Sequence, residues 1–304
     1  MIYTVTLNPS IDYIMHVDEF NEGDLNRANT TYYYPGGKGI NVSRVLKRLD
    51  VSNTALGFIG GFTGQFIQNF LESEEVQHQF IDTDQNTRIN VKLKSNEESE
   101  INGPGPSITE EQQQQLLKQV EKLERDDYLV VAGSIPKTIP ADFYNKMAKR
   151  CGERGAHFIA DTSGKALEEL VGTPTFLLKP NHHELGELFD TTIDSPLKAI
   201  TFAKQLVTKG ATNVIVSMGG DGAILVNKDH AYYANVPKGE VKNSVGAGDS
   251  VVSGFIAGYV QTNSLTEAFA NGVACGSATA FSDDLATRDF VEELRKEIKI
   301  EDLN

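Results

Sequence analysis

Tyr128-Leu129-Val130-Val131-Ala132-Gly133-Ser134-Ile135-Pro136 runs apolar for its first half and then stops at a glycine turn. An unbroken apolar run, in place of one alternating with polar residues, predicts a strand at 128–131 covered on both faces. Outward from it, short apolar and β-branched stretches recur at 2–7, 55–59, 157–160, 175–178, 214–217 and 223–226, with helical patterns between most of them. That alternation predicts an α/β fold with a mostly parallel central sheet between two helical layers, an α/β/α sandwich. Ligands in such folds sit beyond the carboxyl ends of the strands, the edge where Gly133 and Ser134 fall. An ordinary strand-to-loop turn is the plainer reading of Ser134.

Other segments carry a different pattern. In Arg88-Ile89-Asn90-Val91-Lys92-Leu93-Lys94 the apolar residues alternate strictly with polar ones, which predicts a strand with one wet face, outside the central sheet. Residues 13–17, 32–34 and 99–101 have a similar half-apolar character. Together they predict a small separate sheet, a lid built from insertions at about 11–36 and 86–103 into one domain spanning 1–304; edge strands of the main sheet are the alternative. A helix is expected over 110–124, entered by Thr109 with Gln112 three residues on and carrying Leu116, Leu117, Val120 and Leu123 on one face.

Composition narrows the function classes. The 304 residues, 39% hydrophobic, are enough for one large core. With 28 Lys+Arg against 42 Asp+Glu the formal charge is -14, so neither a nucleic acid nor an anionic membrane is an expected partner. Any phosphate site must be locally basic. Cys151 and Cys275 have no metal-type spacing, the N-terminus lacks a signal-peptide pattern, and no apolar stretch spans a bilayer, so a reducing cytoplasm is the expected location.

The most specific chemistry lies at Asn243-Ser244-Val245-Gly246-Ala247-Gly248-Asp249-Ser250, directly before an apolar segment at 251–259 that reads as a buried helix. Glycines at a helix N-terminus let successive N–H groups converge on an anion, and Asp249 sets a carboxylate beside them, either as a base or as a plain helix cap. A second cluster, Pro35-Gly36-Gly37-Lys38-Gly39-Ile40-Asn41-Val42, precedes a helix expected at 43–49. It lacks the Ser or Thr after lysine of a Walker A loop, so close approach of backbone to a small polar ligand is the better reading, with Lys38 and Asn41 as side-chain contacts. Asp12, after the first strand, is an acceptor suited to sugar hydroxyls or a turn residue.

Lys179-Pro180-Asn181-His182-His183-Glu184 ends a strand and opens a helix. Asn181 and Glu184 offer oxygens for Mg²⁺, through water. The two histidines are adjacent, and consecutive residues on a helix are expected to point apart, which disfavours zinc. Met218-Gly219-Gly220-Asp221-Gly222 fits either a nucleotide phosphate contact or a hairpin connection. A dinucleotide-dependent oxidoreductase is disfavoured, because Asn8-Pro9-Ser10-Ile11-Asp12 supplies no glycine fingerprint after the first strand.

With these residues assembled, the chain resembles the ribokinase-like (PfkB) family of sugar kinases over essentially its whole length. Gly36 to Asn41 is similar to the family's N-terminal signature, Asn243 to Ser250 to its C-terminal one, and Asn181 to Glu184 to its Asn-x-x-Glu motif. Within the family, Leu7 to Asp12, Leu25-Asn26-Arg27, Arg88 to Lys92 and Ile101 to Pro106 resemble the branch that phosphorylates fructose 1-phosphate, with tagatose-6-phosphate kinases as neighbours and a catalytically inactive sugar-phosphate sensor as the alternative of another class.

The resemblance implies a ribokinase-like sandwich with a β-sheet lid, ATP and Mg²⁺ as cofactors, and a phosphorylated ketose as substrate. It implies Asp249 as base and Gly246, Ala247 and Gly248 as anion hole. Asp12, Gly36, Gly37, Lys38 and Asn41 would hold the sugar, and Arg27, Arg88, Lys38 and Ser134 its existing phosphate. The nucleotide would meet Lys179, Asn181, Ser217, Met218, Gly219, Gly220, Asp221, Gly222 and Gly248, with Asn271, Gly272 and Ser277 near adenine, and Asn181 and Glu184 would serve the metal. A homodimer formed through the lid is also implied. Many relatives have Asp-Thr where this chain has Asn243-Ser244, a departure that the fructose 1-phosphate branch tolerates.

Overall fold

Leu129 and Val131 pack into one apolar cluster and Val130 into another, so the strand that carries them is buried from both sides. The computed structural model describes residues 1–303. In chain order its elements are β1 (Ile2–Thr6), β2 (Ser10–His16), β3 (Thr30–Gly36), α1 (Lys38–Arg48), β4 (Asn53–Ile59), α2 (Gly61–Ser73), β5 (Gln77–His78), β6 (Ile81–Asp82), β7 (Arg88–Lys94), β8 (Glu98–Asn102), α3 (Glu110–Val120), β9 (Tyr128–Ala132), α4 (Phe143–Glu153), β10 (His157–Asp161), α5 (Gly164–Leu170), β11 (Thr175–Leu178), α6 (His182–Leu188), α7 (Pro196–Thr208), β12 (Ala211–Ser217), β13 (Ala223–Asn227), β14 (Ala231–Ala234), α8 (Ala247–Thr262), α9 (Leu265–Ala280), α10 (Arg288–Arg295) and β15 (Ile300–Asp302).

The large sheet runs β15-β14-β13-β12-β11-β10-β9-β1-β4-β5, with β6 also on β4. Pairings from β5 to β12 are parallel; β12-β13, β13-β14 and β14-β15 are antiparallel. One face packs against α3, α4 and α7 through residues such as Leu116, Leu117, Tyr144, Met147 and Leu206. The other packs against α1, α8, α9 and α10 through Val45, Leu46, Phe255, Phe269 and Leu294. Both layers of the expected sandwich are therefore present. A separate four-stranded sheet runs β3-β2-β7-β8, and β7 begins and ends where the alternation at Arg88 to Lys94 does.

Three helix boundaries correct the expectations. Helix α1 starts at Lys38, not at 43, because Ile40, Val42, Val45 and Leu46 form one buried face whose packing outweighs the low helix propensity of Gly39. Helix α8 starts at Ala247, which puts Asp249 inside the first turn. Helix α3 ends at Val120, since Lys122 and Leu123 donate to Gln119 and Val120 in tighter turn bonds, although Leu123 stays on the buried face.

At the start of α3 the expected cap forms: Gln112 N–H donates to Thr109 Oγ1 (3.2 Å), and Thr109 N–H to Gln112 Oε1 (2.9 Å). Thr109→Ala removes that acceptor and is expected to lower stability by about 1 kcal/mol in urea unfolding at neutral pH. A loss below roughly 0.3 kcal/mol would leave the cap without energetic weight.

Candidate active site

The carboxyl ends of β1, β9, β10, β11 and β12 open into a cavity of about 1110 Å³, closed from above by β2, β7 and β8 and reached by the N-termini of α1 and α8. Its walls divide into three chemical regions.

The first lies under the small sheet. Asp12 Oδ1 accepts from Ser10 Oγ (2.8 Å) and Asn90 Nδ2 (3.1 Å), while Lys92 Nζ stands 3.5 Å from Oδ2. Register explains the grouping, since β2 pairs Ser10 with Arg88 and Asp12 with Asn90, putting Arg88, Asn90 and Lys92 on one face. Arg88 donates from Nε and Nη2 to the carbonyl of Asn8 (3.3 and 3.1 Å). Gly36 is required here by proximity, because a Cβ would collide with the carboxylate of Asp12 and the hydroxyl of Ser10.

The second region is a buried ion triad. Asp161, fully buried at the end of β10, is 3.2 Å from Lys38 Nζ through Oδ1 and 3.1 Å from Lys179 Nζ through Oδ2. Burial alone would raise the Asp161 pKa, but the Lys179 and Lys38 ammoniums outweigh it and hold the group below the usual carboxylate range. The same carboxylate raises the Lys38 pKa against the opposing effect of desolvation.

The third region is the start of α8. Gly246 is the N-cap at φ 81°, a left-handed conformation glycine adopts without a Cβ penalty, and Ser250 N–H makes the first helical bond to its carbonyl (2.9 Å). The side chain of Asp249 caps nothing. It is 4% exposed and accepts from Asn41 Nδ2 at Oδ2 (2.9 Å), which removes the helix-cap reading. Burial, then the nearby charge of Asp161, raise its pKa to about 6 against the pull of Lys38, Asn41 and Lys179. A carboxyl poised near neutrality beside a helix N-terminus can accept a proton next to a bound anion.

Most of the expected site residues meet in this cavity: Asp12, Gly37, Lys38, Asn41, Arg88, Ser134, Lys179, Asn181, Glu184, Ser217, Gly219, Gly220, Gly222, Gly246, Ala247, Gly248 and Asp249 all line it. Gly36 lies just behind, supporting Asp12. Arg27 does not reach it: the cavity end of the β2-β3 hairpin is Ser10–Gly36, and Arg27 sits on the exposed connection past His16–Thr30. Asn271 is also outside, its Nδ2 donating to Gly254 O (2.7 Å) on the face of α9 that packs on α8, and Gly272 packs there against Val251 O. Ser277, on the cavity face of α9, does line the site.

Met218 and Asp221 likewise fall outside the lining, because the turn Gly219–Asp221 sends Met218 into the core and Asp221 to solvent. That turn is both a hairpin connection between β12 and β13 and a cavity wall. Asn181 and Glu184 form a capping box, each side chain accepting the other's backbone N–H at 2.8 Å, so Asn181 Oδ1 and Glu184 Oε2 are engaged in starting α6. Glu184 lines the cavity and its Oε1 takes no part in the capping box, which suits Mg²⁺ held mainly by water and phosphate. The rings of His182 and His183 do not point apart; their centroids are 3.9 Å apart, because His182 is the first residue of α6.

Sequence reasoning missed Asp161, Ser10, Asn90 and Lys92. Asp161 carried the same signal used for Asp12, an acid immediately after an apolar strand. Asn90 and Lys92 were legible as the polar half of the alternation in β7.

Comparison with known proteins bears on all three regions at once. Residues 5–288 match the model of the pfkB family of carbohydrate kinases. The chain is 53% identical over 300 residues to a protein of Bacillus subtilis (strain 168) named 1-phosphofructokinase, covering 99% of each, and 42% identical over 305 residues to a 1-phosphofructokinase of Borreliella burgdorferi, covering 100% of this chain and 99% of the relative. Among solved structures it is similar to phosphofructokinase-2 from Escherichia coli in complex with fructose-6-phosphate, with a TM-score of 0.91, 30% identity and 97% of this chain and 98% of that one covered. By the family match over most of its length and by the identity to these relatives, the chain belongs to the pfkB family of carbohydrate kinases.

Proposed function

We propose that the protein transfers the γ-phosphoryl group of ATP to the 6-hydroxyl of fructose 1-phosphate, giving fructose 1,6-bisphosphate and ADP. The observation that carries this reading is Asp249, buried, tuned to about pH 6 and set at the N-terminus of α8 beside Gly246, Ala247 and Gly248. The two 1-phosphofructokinase relatives support the choice of sugar phosphate.

In this reading Asp249 takes the proton of the 6-hydroxyl as the new O–P bond forms and the bond to the ADP oxygen breaks, a general-base contribution of roughly 10²–10⁴-fold. Asn41 holds the carboxylate in place. The N–H groups at Gly246 to Gly248 face the transferring phosphoryl oxygens, where preorganised donors stabilise developing charge. Lys38 and Lys179, oriented by Asp161, add positive charge at the middle of the cavity. Asp12 accepts from sugar hydroxyls, and Arg88, Lys38 and Ser134 serve the existing phosphate. Ser217, Gly219, Gly220 and Gly222 would contact the nucleotide. Mg²⁺ at Glu184 and Asn181, when bound, would neutralise phosphate charge.

The small sheet serves as a lid over the sugar, and the face turned away from the cavity carries exposed Tyr33, Ile89 and Ile101, apolar surface suited to pairing with a second subunit. Light scattering of the purified chain reads the expected dimer. No helix among the described residues is long and apolar enough to cross a membrane. The reaction belongs in the cytoplasm, where ATP is supplied.

Rates with fructose 1-phosphate, fructose 6-phosphate and tagatose 6-phosphate, measured side by side with MgATP, test the proposal. Fructose 1-phosphate is expected to give the highest kcat/KM, and chelation of Mg²⁺ by EDTA to abolish turnover. A preference for either 6-phosphate overturns the substrate; no turnover with any of the three favours a sugar-phosphate sensor.

A further inference from the structure

Lys92 is 7% exposed, in the wall of a cavity, and its ammonium donates no hydrogen bond within the protein among the described residues. Its neighbours are two carboxylates, Asp12 Oδ2 at 3.5 Å and Glu100 Oε1 at 3.7 Å, both beyond good hydrogen-bond distance. A buried ammonium has three donors, and leaving them unspent is costly. The other two cations lining this end of the cavity already spend donors within the protein, Lys38 on Asp161 and Arg88, through Nε and Nη2, on Asn8 O, and bring only their remaining donors to a phosphate.

Strand geometry aims Lys92 at the ligand. Residues 88, 90 and 92 share one face of β7, and all three line the cavity, while Ile89 turns to the opposite side and is 40% exposed. Lys92 sits opposite Glu100 on β8 and one register step beyond the Asp12–Asn90 pair. It thus extends past the hydroxyl-binding carboxylate, on the side of the small sheet, whereas Asp249 belongs to α8 on the other side of the cavity. The phosphate and the 6-hydroxyl of fructose 1-phosphate hang from opposite ends of the sugar chain. With the hydroxyl at Asp249, the phosphate falls toward this strand.

We propose that Lys92 is a specificity-determining residue that binds the phosphate already on the ketose, and that Glu100 holds its ammonium in the absence of sugar and gives it up when the phosphate arrives. The proposal rests on the reading of the protein as a phosphoketose kinase. A phosphate oxygen supplies the short charge-assisted acceptor that Asp12 and Glu100 do not. Release from Glu100 is feasible because that side chain is 44% exposed on β8, an edge strand, where water takes over its charge.

The test is steady-state kinetics of the full chain with saturating MgATP, using fructose 1-phosphate and unphosphorylated fructose. Lys92→Met keeps the length of the side chain and removes its charge. It is expected to raise KM for fructose 1-phosphate by about 10- to 100-fold, the size of a lost charge-assisted hydrogen bond, with KM for ATP within about 2-fold of wild type and the preference for fructose 1-phosphate over fructose reduced by at least about 10-fold. Lys92→Arg restores part of the loss. Equal losses with both sugars, or an unchanged KM for fructose 1-phosphate, overturn the proposal.

Glu100→Gln provides a second arm that does not depend on Lys92→Met folding. It is expected to lower KM for fructose 1-phosphate by about 2- to 5-fold, the scale of a half-exposed ion pair; no change or a rise counts against the proposal. If the wild type prefers a different phosphoketose, the proposed substrate fails on its own, and both variants are read with the preferred sugar against its unphosphorylated form.

Discussion

Asp249→Asn is expected to lower kcat by about 10²–10⁴-fold while KM for ATP stays close to wild type. The asparagine preserves the shape and can still accept from Asn41, so the loss reports the missing base and little else. The wild-type pH profile provides the companion measurement. Because the carboxyl must be ionised to take a proton and its pKa is raised to about 6, kcat/KM should fall tenfold per unit below that pH. A rate flat down to pH 4.5, or near-normal turnover in the variant, removes Asp249 from the proton transfer.

The same variant should be more stable than wild type at neutral and alkaline pH. Asp249 has its pKa raised from 3.8 to about 6 in the folded chain, so between those values the folded state holds a proton that the unfolded state has released. Stability therefore drops as pH rises through that window, by up to about 3 kcal/mol once both states are ionised. Asparagine carries no such penalty. Urea unfolding is expected to place the variant roughly 1–3 kcal/mol above wild type at pH 8, with the gap closing near pH 4. A destabilised variant at pH 8 would contradict the view that burial and the Asp161 charge strain this carboxylate.

Arg44→Met should cost about 3–5 kcal/mol, the usual penalty for stripping one partner from a buried ion network. Arg44, 2% exposed, reaches Glu74 through Nε and Nη2 (2.8 and 2.9 Å) and Asp284 through Nη2 and Nη1 (2.9 and 3.3 Å), and lies 5.0 Å from the centre of the Phe70 ring. Burial raises the pKa values of Glu74 and Asp284, and the Arg44 and Arg48 guanidiniums reverse this and hold both groups low. Methionine leaves the two carboxylates with the guanidinium of Arg48, which contacts both and donates from Nη1 to Leu285 O (2.6 Å), and Asp284 with its backbone hydrogen bond from Leu285.

The network also bears on the site. Leu285, fixed by Arg48, packs where a Cβ at Gly246 would fall (2.6 Å), directly behind the start of α8. Arg44→Met is accordingly expected to lower kcat along with stability, and Arg44→Lys to rescue neither, because an ammonium cannot fork to two carboxylates. Since Glu74 and Asp284 have lowered pKa values, wild type should lose the network's contribution as pH falls through the acidic range, and the gap between wild type and variant should narrow there. A cost under about 1 kcal/mol at pH 7 would rank the network with exposed ion pairs.

Local pattern was enough for the architecture. The unbroken run at Tyr128 to Ala132, the alternation at Arg88 to Lys94 and the Thr109–Gln112 cap are each signals within a few residues, where covalent geometry and side-chain period leave few options. The family motifs were legible for a related reason: glycines and a carboxylate at a helix start form one local unit. Helix boundaries failed where packing overrode propensity, as at Gly39, and individual contacts failed where orientation decided them, as at Asn271, Met218 and Arg27.

By itself the sequence determined a two-layered apolar sheet, a separate amphipathic one and a glycine-framed Asp249, because these depend on period and on neighbours along the chain. Only the tertiary structure decided that Asp249 answers to Asn41 and Asp161, that Asp161 joins Lys38 to Lys179, and that Lys92 faces the cavity between Asp12 and Glu100. Those couplings act over a few ångströms between residues up to 208 positions apart, and the charge of a buried group is set by what lies near it in space.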